Sequence, residues 1–285
     1  MDLRAALIRS TLDGTARVAP RLAGRMAGAL FARPVARASQ RPEEEPVMRR
    51  ATRTELVLDG RRAVVHQWGD GVRPVLLMHG WQFRASRWSP LVTALTERGY
   101  SPVAFDAPGH GESPGRSTTI VEYRAIARRL HREHGRFAAV VGHSVGGLAA
   151  YYAVRGGVEA DRLVAISAPS GMDTIAEGFR LGLGVGPWLR PALRRRVEEM
   201  FPDEPGLWDG FNATHRPEQL ALPMLIVHDE EDDMIPAGES RRVAAVYGDR
   251  ADLLITRGLG HRRVLADPRV VEAVLDFAAA TDPVA

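Results

Sequence analysis

Residues 138 to 147 read AAVVGHSVGG, a short apolar run that breaks on glycines around a single serine, Ser144. A G-x-S-x-G sequence between a buried strand and a helix forces a tight, strained turn that lifts the serine Oγ above the sheet. Gly142 and Gly146 leave room where side chains would clash. AAVV supplies the buried strand, and GGLAAYYAVRGG supplies a small-residue helix that stops at its terminal glycines. Ser144 is therefore the candidate nucleophile.

Working outward, the same kind of short apolar run recurs at VLLMHG (75 to 80), VAFD (103 to 106), LVAIS (163 to 167), MLIVHD (224 to 229) and LLITRG (253 to 258). Runs that are apolar throughout fit strands buried on both faces. Helical patterns separate most of them, so the fold class is α/β with a mainly parallel sheet flanked by helices. Before them, TELVLDGRRAVVHQWG (54 to 69) holds two strand-like runs around Asp59-Gly60, a hairpin signal that places an antiparallel edge on the sheet. The stretch from 170 to 221 is too long for a simple crossover and reads as a small helical cap inserted into a core formed by 54–169 and 222–285.

Residues 1 to 53 read as a basic helical extension and linker. Every one of the 38 basic residues of the chain is Arg. Eleven of them face five acids in this segment, a charge of +6, and the remainder of the chain carries −3. The sequence pI of 9.7 is thus a property of the tail and of arginine's high pKa, and it does not imply nucleic acid as a partner. Leu3, Leu7, Ile8 and Leu12, then Val18, Leu22, Met26 and Leu30, form the apolar rows of two amphipathic helices, with Pro20 in the first turn of the second. Residues 1 to 40 either pack on the body, associate with a second subunit or lie on a membrane surface. RPEEEP (41 to 46) reads as an exposed linker. No run reaches the 18 apolar residues of a membrane span, and the absence of cysteine excludes disulfides and thiolate chemistry. The expected location is the cytoplasm, free or peripheral to a membrane.

A serine hydroxyl needs a base to take its proton and an acid to orient that base. Downstream, HDEEDDMIP (228 to 236) runs from a strand into a loop bearing Asp232, and GLGHRR (258 to 263) places His261 after the last strand. The chain order is Ser, Asp, His. Asp233 is the alternative acid in a run of five.

From about residue 54 to the end, the chain resembles the α/β-hydrolase superfamily. His79-Gly80 matches its HG turn, DAPGHGES (106 to 113) its D-x-P-G-H-G-x-S loop, GHSVGG its nucleophile elbow, DEEDDMIP its acid loop and Gly260-His261 its G-H motif. Asp229 departs from the pattern, standing where the family usually has Gly. The resemblance implies that Asp232 orients His261, that His261 deprotonates Ser144, and that the backbone N–H groups of Trp81 and Val145 form an oxyanion hole. His79, Gly80, Gly142, His143 and Gly146 would support those turns.

The reading for function is a cofactor-independent, metal-independent serine hydrolase acting on a small-molecule carboxylic ester or acyl substrate. Acyl transfer, C–C hydrolysis or perhydrolysis through the same triad stand as alternatives, as does a non-catalytic ligand-binding or interaction module. Relatives that use a nucleophilic aspartate carry it at the elbow, so Asp106 is expected to organise its loop. His131 and His134 are expected at an exposed helix end, His228 buried at a strand end, and Arg262 and Arg263 on the surface. Trp188, Phe201, Trp208 and Phe211 in the cap are candidate walls of an apolar acyl pocket.

Overall fold

The computed structural model describes residues 3–280, with side chains from residue 6 onward. Eight strands form one sheet in the order β1-β2-β4-β3-β5-β6-β7-β8. They are β1 (Thr52–Leu58), β2 (Arg61–Gln67), β3 (Pro74–Met78), β4 (Ser101–Asp106), β5 (Ala139–His143), β6 (Leu163–Ile166), β7 (Met224–Asp229) and β8 (Ala251–Thr256). β1 and β2 pair antiparallel across the Asp59-Gly60 turn, where both residues have positive φ, 48° and 74°. β2 joins β4 antiparallel, and every later pairing is parallel.

All residues of β3 to β7 are buried. Alternate side chains serve two cores. Leu76, Met78 and Val140 face one apolar cluster, and Val75, Leu77 and Val141 face the other. The first core lies under α5 (Ile120–His134) and α6 (Val145–Arg155), and the second under α4 (Ser89–Glu97) and α12 (Pro268–Ala279). β8 differs from the expectation of full burial, because as the last strand its side chains are mostly half-exposed.

Three helices lie between β6 and β7, within the long gap of the sequence: α7 (Met172–Leu183), α8 (Leu189–Met200) and α9 (Leu207–Gly210). The N-terminal helices, α1 (Leu3–Val18) and α2 (Pro20–Phe31), pack against α7 and α8. Of the apolar rows read from the sequence, Ile8, Met26 and Leu30 pack half-buried against the core, and others need correcting. Leu12 is buried, but Leu7, Val18 and Leu22 are 69%, 85% and 52% exposed, and Val18 ends the first helix instead of starting the second. Leu3 lies outside the described side chains. The buried stripe of α2 is Ala23, Gly24 and Ala27. A Cβ added at neighbouring Gly28 would lie 2.7 Å from Arg196 Cγ, so small residues, not large ones, allow this close helix contact.

Three links tie the extension down. Asp13 accepts hydrogen bonds from Trp188 Nε1 (2.7 Å) and the Gly186 amide (3.1 Å). Phe31 meets Phe179 edge to face at 5.2 Å. Arg37 donates to the carbonyls of Ser113 (2.6 Å) and Gly115. The RPEEEP segment is not an exposed linker throughout. It forms a 3-10 turn and the short helix α3 (Glu45–Met48), and Glu44 is buried. Its carboxylate accepts from Ser86 Oγ and is neutralised by Arg87, which is why a charge tolerates that position.

Candidate active site

Ser144 sits between β5 and α6 with φ 54° and ψ −123°, a strained left-handed conformation for a residue with a side chain. The turn is closed by contacts that exclude Cβ atoms. A methyl group at Gly146 would run into the backbone carbonyls of Met78 and His79, and one at Gly142 into the Gly146 carbonyl. The same packing brings the β3 turn to the serine, since a Cβ at Gly80 would lie 2.8 Å from His143 Nδ1 and 3.0 Å from Ser144 Cβ.

His261 is the second residue of the short helix α11 (Gly260–Arg263), which follows β8 and the helix α10 (Gly238–Tyr247) before it. Its Nε2 is 3.0 Å from Ser144 Oγ, and its Nδ1 is 2.7 Å from Asp232 Oδ2. Asp232 is an acceptor on every side, so the proton belongs on His261 Nδ1 and the bare Nε2 faces the hydroxyl. The other Asp232 oxygen accepts the amides of Met234 (2.9 Å) and Ile235 (2.8 Å). Burial would raise the Asp232 carboxyl, but hydrogen bonds from His228, His261 and the Ile235 amide outweigh it and hold the group well below the usual carboxylate range. Asp233 is exposed, and it is Asp232 that the structure brings to His261.

The amide of Val145 lies directly after the serine. Val145 is the first residue of α6, so its N–H has no carbonyl one turn earlier in the helix. Trp81 follows Gly80, and its ring meets His110 edge to face at 5.0 Å. His79 braces this turn. Its Nε2 accepts from the Ala107 amide at 3.0 Å, and its Nδ1 donates to the Gly80 carbonyl at 2.7 Å. His143 braces the other side, donating from Nε2 to the His261 carbonyl at 2.8 Å while Phe83 stacks on its ring at 4.9 Å. Burial pushes the His143 imidazole down to about 3, so it stays neutral next to His261.

The sequence profile of the alpha/beta hydrolase family matches residues 75–274. The chain belongs to the alpha/beta hydrolase family. This hydrolase is 28% identical over 262 residues to a non-heme haloperoxidase of Rhodococcus erythropolis, a match that covers 76% of this chain and 95% of the relative. It is 32% identical over 136 residues to a pimeloyl-[acyl-carrier protein] methyl ester esterase of Sodalis glossinidius, covering 48% of each. Among solved structures, the Pyrococcus furiosus esterase Pf2001 superimposes with a TM-score of 0.64 at 20% identity, covering 86% of this chain and 97% of that one, a likeness of fold.

Two positioning groups escape sequence reasoning. Asp229, which occupies the family's glycine position in a run of acids, is fully buried. It accepts from Thr256 Oγ1 (2.7 Å) and from the amides of Leu259 (3.1 Å) and Gly260 (2.9 Å), the residues that lead into His261. His228 lies at the strand end, as expected, but its role is wider. Ser240 Oγ donates to its Nδ1 at 2.6 Å, and its Nε2 lies 2.9 Å from the Ile235 carbonyl and 3.4 Å from Asp232 Oδ2.

Asp106 organises its loop, accepting the amides of Ala85 and Glu112 at 2.7 Å each. His66, Asp106 and Glu112 bring ligand-type atoms within 4.8 Å of one another. Glu112 is already bonded by Arg53 and Arg84, so this is an ion-pair network and not a metal nest. His131 and His134 are half-buried at the end of α5, packed on Phe137, instead of fully exposed. Arg262 and Arg263 are exposed.

The four aromatics expected to wall a pocket are engaged elsewhere. Trp208 and Phe211 are 2% exposed within the core, with Phe211 edge-on to Tyr152 at 5.0 Å. Phe201 packs on the same cluster, and Trp188 holds α1 through Asp13. Trp208 and Phe211 are thus core side chains, and Trp188 and Phe201 are half-buried at helix contacts.

Proposed function

We propose that this hydrolase cleaves carboxylic esters through an acyl-enzyme on Ser144. The observation that carries the reading is the continuous hydrogen-bonded line from Ser144 Oγ through His261 to Asp232 on a strained strand-to-helix turn. His261 Nε2 takes the hydroxyl proton as Oγ attacks the ester carbonyl. The negative oxygen of the tetrahedral intermediate is held by the Val145 and Trp81 amides, and Asp232 stabilises the imidazolium without taking its proton. Collapse expels the alkoxide, which receives the proton from His261. Water then attacks the acyl-enzyme with His261 as base, releasing the acid and restoring Ser144.

The esterase named among the relatives supports this reaction class. The test is hydrolysis of p-nitrophenyl esters of increasing acyl length by wild type and Ser144→Ala. Turnover that disappears with Ser144 is expected, and the chain-length profile sizes the acyl site. Equal turnover by the two proteins would refute the reading.

The haloperoxidase named among the relatives motivates a second reading. Hydrogen peroxide replacing water at the same acyl-enzyme would yield a peracid and free Ser144. Peracid formation that needs both an ester and Ser144 would identify it.

A further inference from the structure

The helices α1 and α2 bury one face and leave the opposite face unused. Leu12 and Ala27 enter the same apolar cluster, so both helices turn inward together. Half a turn away, α1 exposes Leu7, Arg17 and Val18, and α2 exposes Arg21, Leu22 and Arg25. Three large aliphatic side chains at 69%, 85% and 52% exposure are thus interleaved with three guanidinium groups. Among the described residues, the two helices carry one acid, Asp13, and it is turned inward to Trp188 and Gly186.

We propose that this face docks on an anionic lipid bilayer. The pattern selects the partner. A second copy of the chain would set Arg17, Arg21 and Arg25 against themselves with no acid on the face to answer them. A nucleic acid would use the arginines but has no apolar layer for Leu7, Val18 and Leu22. A bilayer of acidic headgroups accepts both, because guanidinium groups stay at headgroup level while aliphatic side chains enter the acyl boundary. The links through Trp188, Phe179 and Arg37 make the hairpin one body with the inserted helices and the 111–115 loop, so docking would fix the orientation of the whole enzyme on the surface. The inference is independent of the reaction assigned to Ser144.

The test is sedimentation of the full chain with vesicles of phosphatidylglycerol and phosphatidylcholine, against phosphatidylcholine alone. Wild type is expected to sediment with the anionic vesicles at about 50 mM salt, to be released at about 500 mM, and to ignore the neutral ones. Replacing Arg17, Arg21 and Arg25 together by Gln should weaken partitioning on the order of 100-fold, about fivefold per charge. Leu22→Ser should weaken it about tenfold. Turnover of a soluble short-chain ester and the circular dichroism spectrum should be those of wild type in both variants. The proposal is overturned if wild type stays in solution with anionic vesicles at low salt, if the arginine variant binds as well as wild type, or if Leu22→Ser dissolves a dimer while leaving lipid binding intact. The salt dependence of the unaltered protein keeps the test decisive should a variant misfold.

Discussion

The loops that carry Ser144, Asp232 and His261 are held by different forces from the helices inserted between β6 and β7. In the loops, buried polar groups bond one another: Asp229 and Asp232 accept a set of amides and imidazoles, and His79 and His143 pin backbone carbonyls. In the insertion, a few part-buried bonds, such as Trp188 to Asp13 and Thr174 to Glu239, stand beside many surface ion pairs, such as Arg190 with Asp173 at 3.2 Å and Arg194 with Asp209 at 2.7 Å. Exposed pairs of that kind contribute at most about 1 kcal/mol each, so the insertion depends on apolar and small-residue packing. A buried polar group fixes geometry because leaving it unpaired is costly; packing tolerates adjustment. Changes in the loops should therefore fall on chemistry, and changes in the insertion and N-terminal helices on stability and docking.

The largest break in that contrast, short of removing the nucleophile, is Asp232→Asn. It keeps the shape but lets His261 adopt the wrong tautomer, and kcat with a short-chain ester should fall on the order of 10,000-fold. A loss under tenfold would mean that another acid, such as Asp233, serves His261.

Asp229→Ala comes next. It strands the Leu259 and Gly260 amides and Thr256, and it lets the His261 loop drift by a fraction of an ångström. The expected loss is on the order of 100-fold in kcat, with stability lowered by about 1–3 kcal/mol. Unchanged labelling by a fluorophosphonate would show that the loop is held by other contacts.

Acid should act on the loops before it acts on the carboxylates. Burial pushes both His110 and His143 down to about 3, whereas an unfolded histidine titrates near 6.5. Between those values the unfolded chain binds protons that the native state refuses, so stability is full above about pH 6.5 and falls as pH drops. The slope is about 1.4 kcal/mol per pH unit for each histidine, tenfold in the folding equilibrium. Asp106 and Asp232, both held low, add their loss below about pH 4. A thermal midpoint that stays flat from pH 7 down to about 4 would contradict this assignment.

The smallest effect on chemistry is expected from Gly28→Val, which forces Arg196 aside at the contact between α2 and α8. Differential scanning calorimetry should show a loss of about 1–3 kcal/mol, with kcat on a soluble ester little changed. A large fall in kcat would mean that the N-terminal helices reach the reacting groups.

The same contrast explains how much could be read from the chain. β7 lies at the 224–229 run read as a strand, and the Asp59-Gly60 turn and the Ser-Asp-His order follow from local rules that leave a signature in single residues. Asp229 left none, because an acid within a run of acids looks solvated until the strand end buries it. The N-terminal contact was misread for a different reason. A search for large apolar residues finds Val18 and Leu22, whereas close helix packing selects Ala23, Gly24 and Ala27, which resemble filler. Glu44 is a third case, since only the fold brings Ser86 and Arg87 to a segment that reads as linker.

The account stands on Ser144 being the residue that carries the acyl group. Intact-protein and peptide mass spectrometry after treatment with a fluorophosphonate tests this directly. One adduct per chain on the Ser144 peptide, absent in Ser144→Ala and slowed in Asp232→Asn, is the predicted result. A folded wild type that takes no adduct, or an adduct that persists in Ser144→Ala, would contradict it.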